Sequence, residues 1–333
     1  MGRIAIIGGG AWGTALACVA RRAGHEAVLW AREPEVVEAV NAGRGNPIFL
    51  PDIPLDPGIR ATGDAAACVE GADAVLMVVP TQFTRAVAEV LGPALPGGTP
   101  VALCAKGIER GTGAMVPEIA AECLPGAPLA VLSGPTFAAE VARDMPTAVT
   151  MACADAAMGR RLVDAIGTRR FRPYLSDDPV GAAIGGAVKN VLAIACGIVT
   201  GRRLGDNARA ALITRGLAEM ARLGRAKGAR PETLMGLSGL GDLTLTCSSP
   251  QSRNMSLGIA LGQGRTLAEI VGERRSIAEG VDSAASVTAL AARLGVDMPI
   301  CQAVDRIVNG GESIETVIEE LLARPFRAEG LGG

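Results

Sequence analysis

Aromatic residues make up only 2% of this 333-residue chain, although 49% of it is hydrophobic. The core must therefore be built from Ala, Val, Leu, Ile and Met, with many small side chains that let helices approach closely. Net charge is almost lacking, at −2, so no global basic field is present to hold nucleic acid. Histidine is limited to His25, in the turn between the first helix and the second strand, where it reads as a loop residue. The eight cysteines (Cys18, Cys68, Cys104, Cys123, Cys153, Cys196, Cys247 and Cys301) are scattered, mostly in apolar surroundings. None forms C-x-x-C, and a single imidazole gives no zinc-site pattern, so no metal is expected. Buried reduced thiols point to the cytoplasm. No charged leader is expected either, because the first apolar run reads as the first strand. The apolar stretch from Val180 to Thr200 is near the length of a membrane span. Lys189 and Asn190 lie at its centre, where a charge is costly. It reads as a buried helix, and no membrane span is expected.

What is present begins at Arg3. The apolar run to Ile7 reads as a strand, then Gly8-Gly9-Gly10-Ala11-Trp12-Gly13 opens a helical pattern. Gly8, Gly10 and Gly13 fit G-x-G-x-x-G between a strand and a helix, the context that gives the motif meaning. The first glycine permits a tight turn, the second lets backbone approach a pyrophosphate, and the third lets helix and strand pack closely. The helix N-terminus offers unpaired N–H groups to phosphates.

The first half of the chain alternates strand and helix signals. Strands are expected at Arg3–Ile7, Glu26–Trp30, Asp73–Val79, Thr99–Cys104, Pro128–Leu132 and Ala148–Ala152. A helix is expected over Pro34–Asn41, and the proline-rich stretch Asn46–Pro57 reads as a loop. Continuous apolar strands separated by helices imply a doubly wound parallel sheet covered on both faces. From about residue 178 helical periodicity dominates. The expected architecture is α/β: a dinucleotide-binding domain over 1–177, an all-helical domain over 178–333, and an active site in the cleft between them.

Ligands of open α/β sheets bind beyond the carboxyl ends of the strands. Lys106 falls there, just past an apolar strand, as a cofactor or substrate contact or a solvated loop lysine. Ser133-Gly134-Pro135-Thr136 falls there too, as a donor-presenting turn or ordinary turn chemistry. The second strand ends in Ala31-Arg32 where NAD-binding chains tend to carry an acidic residue. Arg32 can pair with a 2′-phosphate, which favours NADP(H), while Glu33 keeps NAD(H) open.

In the helical half, Lys189 lies mid-helix among apolar residues. Burial disfavours its charge, so it serves either acid–base chemistry or an ion pair with Asp206, Asp242 or Glu219. Asp242 sits in a glycine-flanked loop. Ser252 can cap the helix beginning near Asn254, and Arg253 with Asn254 forms a candidate phosphate cradle.

Taken together, these segments resemble the bacterial NAD(P)-dependent glycerol-3-phosphate dehydrogenase family. The resemblance is carried by Gly8 to Ala17, Lys106 to Glu109, Ser133 to Ala138, Gly185 to Asn190, Asn207 to Gly216, Gly239 to Leu243 and Gln251 to Asn254, in family order. It implies a Rossmann-type domain and a helical domain, and reversible reduction of dihydroxyacetone phosphate to sn-glycerol 3-phosphate, with a homodimer as candidate assembly. By it, Lys189 is the catalytic acid/base, and Lys106 touches both cofactor and substrate. Gly134, Thr136, Asp242, Ser252, Arg253 and Asn254 line the substrate. Ala11, Trp12, Arg32, Ala138, Arg253, Ile277 and Glu279 line the cofactor, with Ile277 where valine is common.

Two other readings compete. One is a β-hydroxyacid or 6-phosphogluconate-type dehydrogenase, which pairs a lysine and an asparagine four apart on one helical turn. Here Asn190 adjoins Lys189, and position 193 is Ala. The other is a sensor that binds NADP(H) without turnover and has no need of Lys189, Asp242 and Arg253 together.

Overall fold

Short apolar runs become the central strands of one eight-stranded sheet in the computed structural model, which describes residues 2–273 and 278–325. The strands are β1 (Arg3–Ile7), β2 (Glu26–Trp30), β3 (Ile59–Thr62), β4 (Ala74–Met77), β5 (Val101–Leu103), β6 (Leu129–Ser133), β7 (Thr147–Ala152) and β8 (Phe171–Ser176). Their order is β3-β2-β1-β4-β5-β6-β7-β8. Alternate residues serve opposite faces, as the pleat requires. Ile4 and Ile6 of β1 pack into one core cluster with helix Ala11–Arg22, while Ala5 and Ile7 pack into another.

The sheet is not wholly parallel. Pairs among β1 to β6 are parallel, but β7 runs antiparallel to β6, and β8 follows β7. The link from β6 to β7 explains the reversal. Its only helix, Ala138–Ala142, has five residues and rises about 7.5 Å, too little to return the chain along a strand of roughly 17–20 Å. The strands β3 and β8 add to those expected from sequence, and both lie at edges of the sheet.

The chain divides into two compact units. One runs up to Ala105 and resumes over Val116–Pro179, and it holds the sheet. The other takes everything from Val180 onward together with Lys106–Met115, a segment expected in the first domain. This hairpin closes through an isolated bridge between Ile108 and Met115, and both side chains are buried in the second unit's core. Ion pairing of Arg110 with Asp282 and donation from Arg293 Nη1 to the Thr112 carbonyl (2.7 Å) hold it there.

The second unit is helical among its described residues and is built around helix Pro179–Gly201. That helix is long and apolar enough to cross a membrane, but it is almost wholly buried as a core helix. Gly197 meets Gly258 of helix Arg253–Gly262 so closely that a Cβ on Gly197 would overlap the Met255 carbonyl, and one on Gly258 the Ile194 carbonyl. Glycine at both positions lets the two backbones touch.

Candidate active site

Lys189 lies halfway along helix Pro179–Gly201 and is 6% exposed. Its Nζ donates to Asp242 Oδ1 at 2.7 Å and to Thr246 Oγ1 at 2.8 Å. The other carboxylate oxygen, Asp242 Oδ2, accepts from Lys106 Nζ at 2.7 Å. Asp242 is fully buried. Of the three partners sequence offered for Lys189, Asp242 is the one it meets. Asp206 is exposed and pairs with Arg209, and Glu219 accepts from the Ile300 and Cys301 N–H groups at the start of helix Pro299–Val308.

Local backbone delivers Asp242 to this point. The glycine-rich stretch Leu237–Gly241 forms a π turn in which the Gly241 N–H reaches the Gly236 carbonyl at 3.1 Å. Such turns interrupt the regular ladder, often at functional sites. Asp242 then begins helix Asp242–Ser248, where the helix dipole favours a carboxylate. Thr246, one turn later, falls on the same face.

Burial pushes the Lys189 ammonium down to about 8, and the neighbouring Lys106 charge pushes the same way, while Asp242 opposes both. One carboxylate between two ammonium groups leaves a surplus of positive charge able to meet an anionic oxygen.

A second chain of bonds fixes the Lys106 backbone. Asn190 Nδ2 donates to the Lys106 carbonyl (3.2 Å), and Asn254 Nδ2 donates to Asn190 Oδ1 (3.0 Å). Asn254 Oδ1 in turn accepts from the Gly280 N–H (2.9 Å). Helix Glu279–Arg293 has Ala278 as its N-cap residue, which offers no capping side chain, so Asn254 satisfies one of its orphan donors from outside. Asn254 is thus a buried brace between these segments. Ser252 caps helix Arg253–Gly262 as expected, accepting from the Met255 N–H at 3.2 Å, and exposed Arg253 begins that helix. Burial raises the Glu279 carboxyl, and the charges of Arg253, then Lys189 and Lys106, oppose the rise.

In the first unit, the remaining residues lie beyond the carboxyl ends of the parallel strands. After β1, a Cβ on Gly13 would overlap the Gly8 carbonyl, so loop and helix must touch there. A Cβ on Gly10 would meet nothing, leaving open space over the helix N-terminus. The first turn of helix Ala11–Arg22 has no capping side chain and no acidic residue. Trp12 Nε1 is buried without a partner. These uncapped donors around a hollow suit a pyrophosphate. Arg32 follows β2, three-quarters exposed, paired with Glu33 at 3.1 Å. At the end of β6, Ser133 Oγ is buried without a partner, Gly134 passes against Val149 of β7, and Thr136 Oγ1 donates to the Gly134 carbonyl at 3.2 Å. Ala138 starts the short helix that follows. Ile277 lies outside the described residues.

Residues 3–159 match the profile of the N-terminal part of NAD-dependent glycerol-3-phosphate dehydrogenase, and residues 178–319 match that of its C-terminal part. The chain belongs to this family. It is 63% identical over 327 residues to the glycerol-3-phosphate dehydrogenase, NAD(P)+, of Rhodospirillum rubrum, covering 98% of this chain and 94% of that one. Identity to the enzyme of the same name from Parvibaculum lavamentivorans is 60%, covering 98% of each. A crystal structure of glycerol-3-phosphate dehydrogenase from Coxiella burnetii superposes with a TM-score of 0.93 at 41% identity, covering 97% of this chain and 99% of that one. The chain is therefore an oxidoreductase that uses a nicotinamide cofactor and a small-molecule substrate, with the expected Rossmann-type sheet and helical second part.

Two residues of the cluster were not singled out by sequence. Thr246 could have been found from its i, i+4 spacing to Asp242. Asn190, visible inside the resemblance, gave no chemical signal of its own, because its partners are distant in sequence.

Proposed function

We propose that this enzyme catalyses the reversible NAD(P)H-dependent reduction of dihydroxyacetone phosphate to sn-glycerol 3-phosphate, the backbone precursor of phospholipids. The observation that carries the reading is the buried Asp242 carboxylate gripping Lys189 and Lys106 at 2.7 Å each. The nicotinamide cofactor supplies or accepts the hydride. Lys189 Nζ donates a proton to the oxygen at C2 as charge develops there, and takes it back in the reverse direction. Lys106 adds a second ammonium contact to cofactor and substrate. Asp242 orients both lysines. Arg253 grips the substrate phosphate, and Asn254 beside it completes the cradle. Gly134, Thr136 and Ser252 complete the substrate lining. Holding the phosphate away from the reacting carbon orients the ketone.

Gly8, Gly10, Ala11, Trp12 and Gly13 hold the pyrophosphate, and Ala138, Arg253 and Glu279 line the rest of the cofactor. Arg32 takes a 2′-phosphate, which favours NADP(H) while leaving NAD(H) usable. A cytoplasmic location fits eight cysteines that form no disulfide among the described residues, seven of them buried. The non-catalytic sensor reading is weaker, because cofactor binding alone gives no reason to gather two lysines on one buried carboxylate. Spectrophotometric oxidation of NADPH and of NADH, with and without dihydroxyacetone phosphate, tests the proposal. Cofactor oxidation that does not depend on the ketone refutes it.

A further inference from the structure

We propose that Glu33 is a specificity-determining residue that restrains the use of 2′-phosphorylated cofactor by occupying Arg32. The inference rests on the reading that Arg32 receives a 2′-phosphate. Position 31, where an acidic residue would choose a ribose hydroxyl, is taken out of play by packing. Ala31 is fully buried, its N–H donates to the Thr62 carbonyl at 3.0 Å, and its methyl lies against Gly9 so closely that Gly9 could carry no side chain. The selection falls to the next two residues.

Those two differ in freedom. Glu33 is the N-cap residue of helix Pro34–Asn41, and its carbonyl accepts from the Val36 and Val37 N–H groups. Pro34 locks the first helical position. The Glu33 carboxylate therefore sits on fixed backbone at the positive end of a helix, with its side chain 27% exposed, while the Arg32 side chain is 75% exposed. Their 3.1 Å ion pair joins an exposed guanidinium to a carboxylate carried on helix-cap backbone. A 2′-phosphate must draw the guanidinium off Glu33 and then lie near that negative charge. An unphosphorylated ribose leaves the pair intact. Glu33 thus penalises one cofactor and spares the other, keeping both usable.

Direct binding of 2′,5′-ADP and ADP to the purified protein, by isothermal titration calorimetry, isolates the 2′-phosphate without turnover. The readout is the Kd for ADP divided by that for 2′,5′-ADP. Glu33→Gln should raise this ratio about three- to tenfold, the scale of an exposed ion pair plus a relieved like charge, and leave ADP binding within about twofold. Arg32→Ala should collapse the ratio, and Glu33→Gln added to Arg32→Ala should then raise it by less than Glu33→Gln does alone, because only the like charge remains to be relieved. If Arg32→Ala collapses the ratio while Glu33→Gln leaves it unchanged or lowers it, the role of Glu33 is refuted and that of Arg32 stands. If neither substitution moves the ratio, both readings fall.

Discussion

Lys106 and Lys189, distant in sequence, are held by opposite oxygens of the same carboxylate, each at 2.7 Å. The arrangement ties the protonation of one lysine to the charge of the other, because burial and Lys106 both push Lys189 down against the pull of Asp242.

Lys189→Ala should lower kcat roughly 10²–10⁴-fold by loss of the general acid. Cofactor affinity, measured by fluorescence titration, should change little, because the glycine loop is untouched. Near-native turnover would reduce Lys189 to a structural ion-pair partner.

The pH dependence follows from a Lys189 value lowered to about 8. Ketone reduction needs the ammonium, so its kcat should fall as pH rises through about 8. Alcohol oxidation needs the free amine and should rise through the same range. Profiles of both directions check the sign, and Asp242→Asn, which removes the group raising Lys189, should move both inflections to lower pH.

Arg253→Ala should raise KM for dihydroxyacetone phosphate, as loss of a charge-assisted contact worth roughly 1.5–3 kcal/mol requires. Arg253→Lys should be intermediate, keeping the charge without the fork. Unphosphorylated dihydroxyacetone is the control. If both substrates suffer equally, Arg253 acts through the cofactor or the fold.

Glu219 provides a test of stability. Burial raises its carboxyl to about 7, although two backbone N–H groups favour the charged form. The folded state therefore binds a proton more tightly than the unfolded chain. The resulting stability is full below the ordinary carboxylate range and is lost as pH rises to about 7. Glu219→Gln should flatten this dependence, shrinking the difference in unfolding free energy between acid and alkaline buffer by on the order of 3 kcal/mol. An unchanged difference in urea titrations would show that Glu219 ionises normally.

Sequence revealed elements wherever packing imposes a local pattern. β1, β2 and helix Pro34–Asn41 occupy the residues expected, because each is an apolar or periodic run with sharp borders. β3 escaped notice because four edge residues, Ile59-Arg60-Ala61-Thr62, bury only alternate side chains. β8 was hidden by Arg172, Pro173 and exposed Tyr174, all suited to an edge. Strand direction at β7 is not encoded in local pattern at all. The site was legible where burial clashed with charge, as at Lys189. One further signal was there to use: the chain has only three lysines, Lys106, Lys189 and Lys227, and two of them meet at Asp242. Arginine, which stays charged, cannot replace an ammonium that must titrate. The brace through Asn190 and Asn254 joins segments far apart in sequence and could not be read from any of them.

The excursion of Lys106–Met115 out of the first unit has a consequence for biosynthesis. The ribosome releases this hairpin long before Asp242, Asp282 and Arg293, the residues that receive it, have been made. Until then Ile108 and Met115 have no core to enter, and the nascent first unit carries an apolar, unfinished loop. Nor can the second unit be obtained by cutting the gene once at Val180, since such a fragment would lack a lysine and two core side chains. The two units must mature together, and neither is an interchangeable module that fusion could move whole into another enzyme.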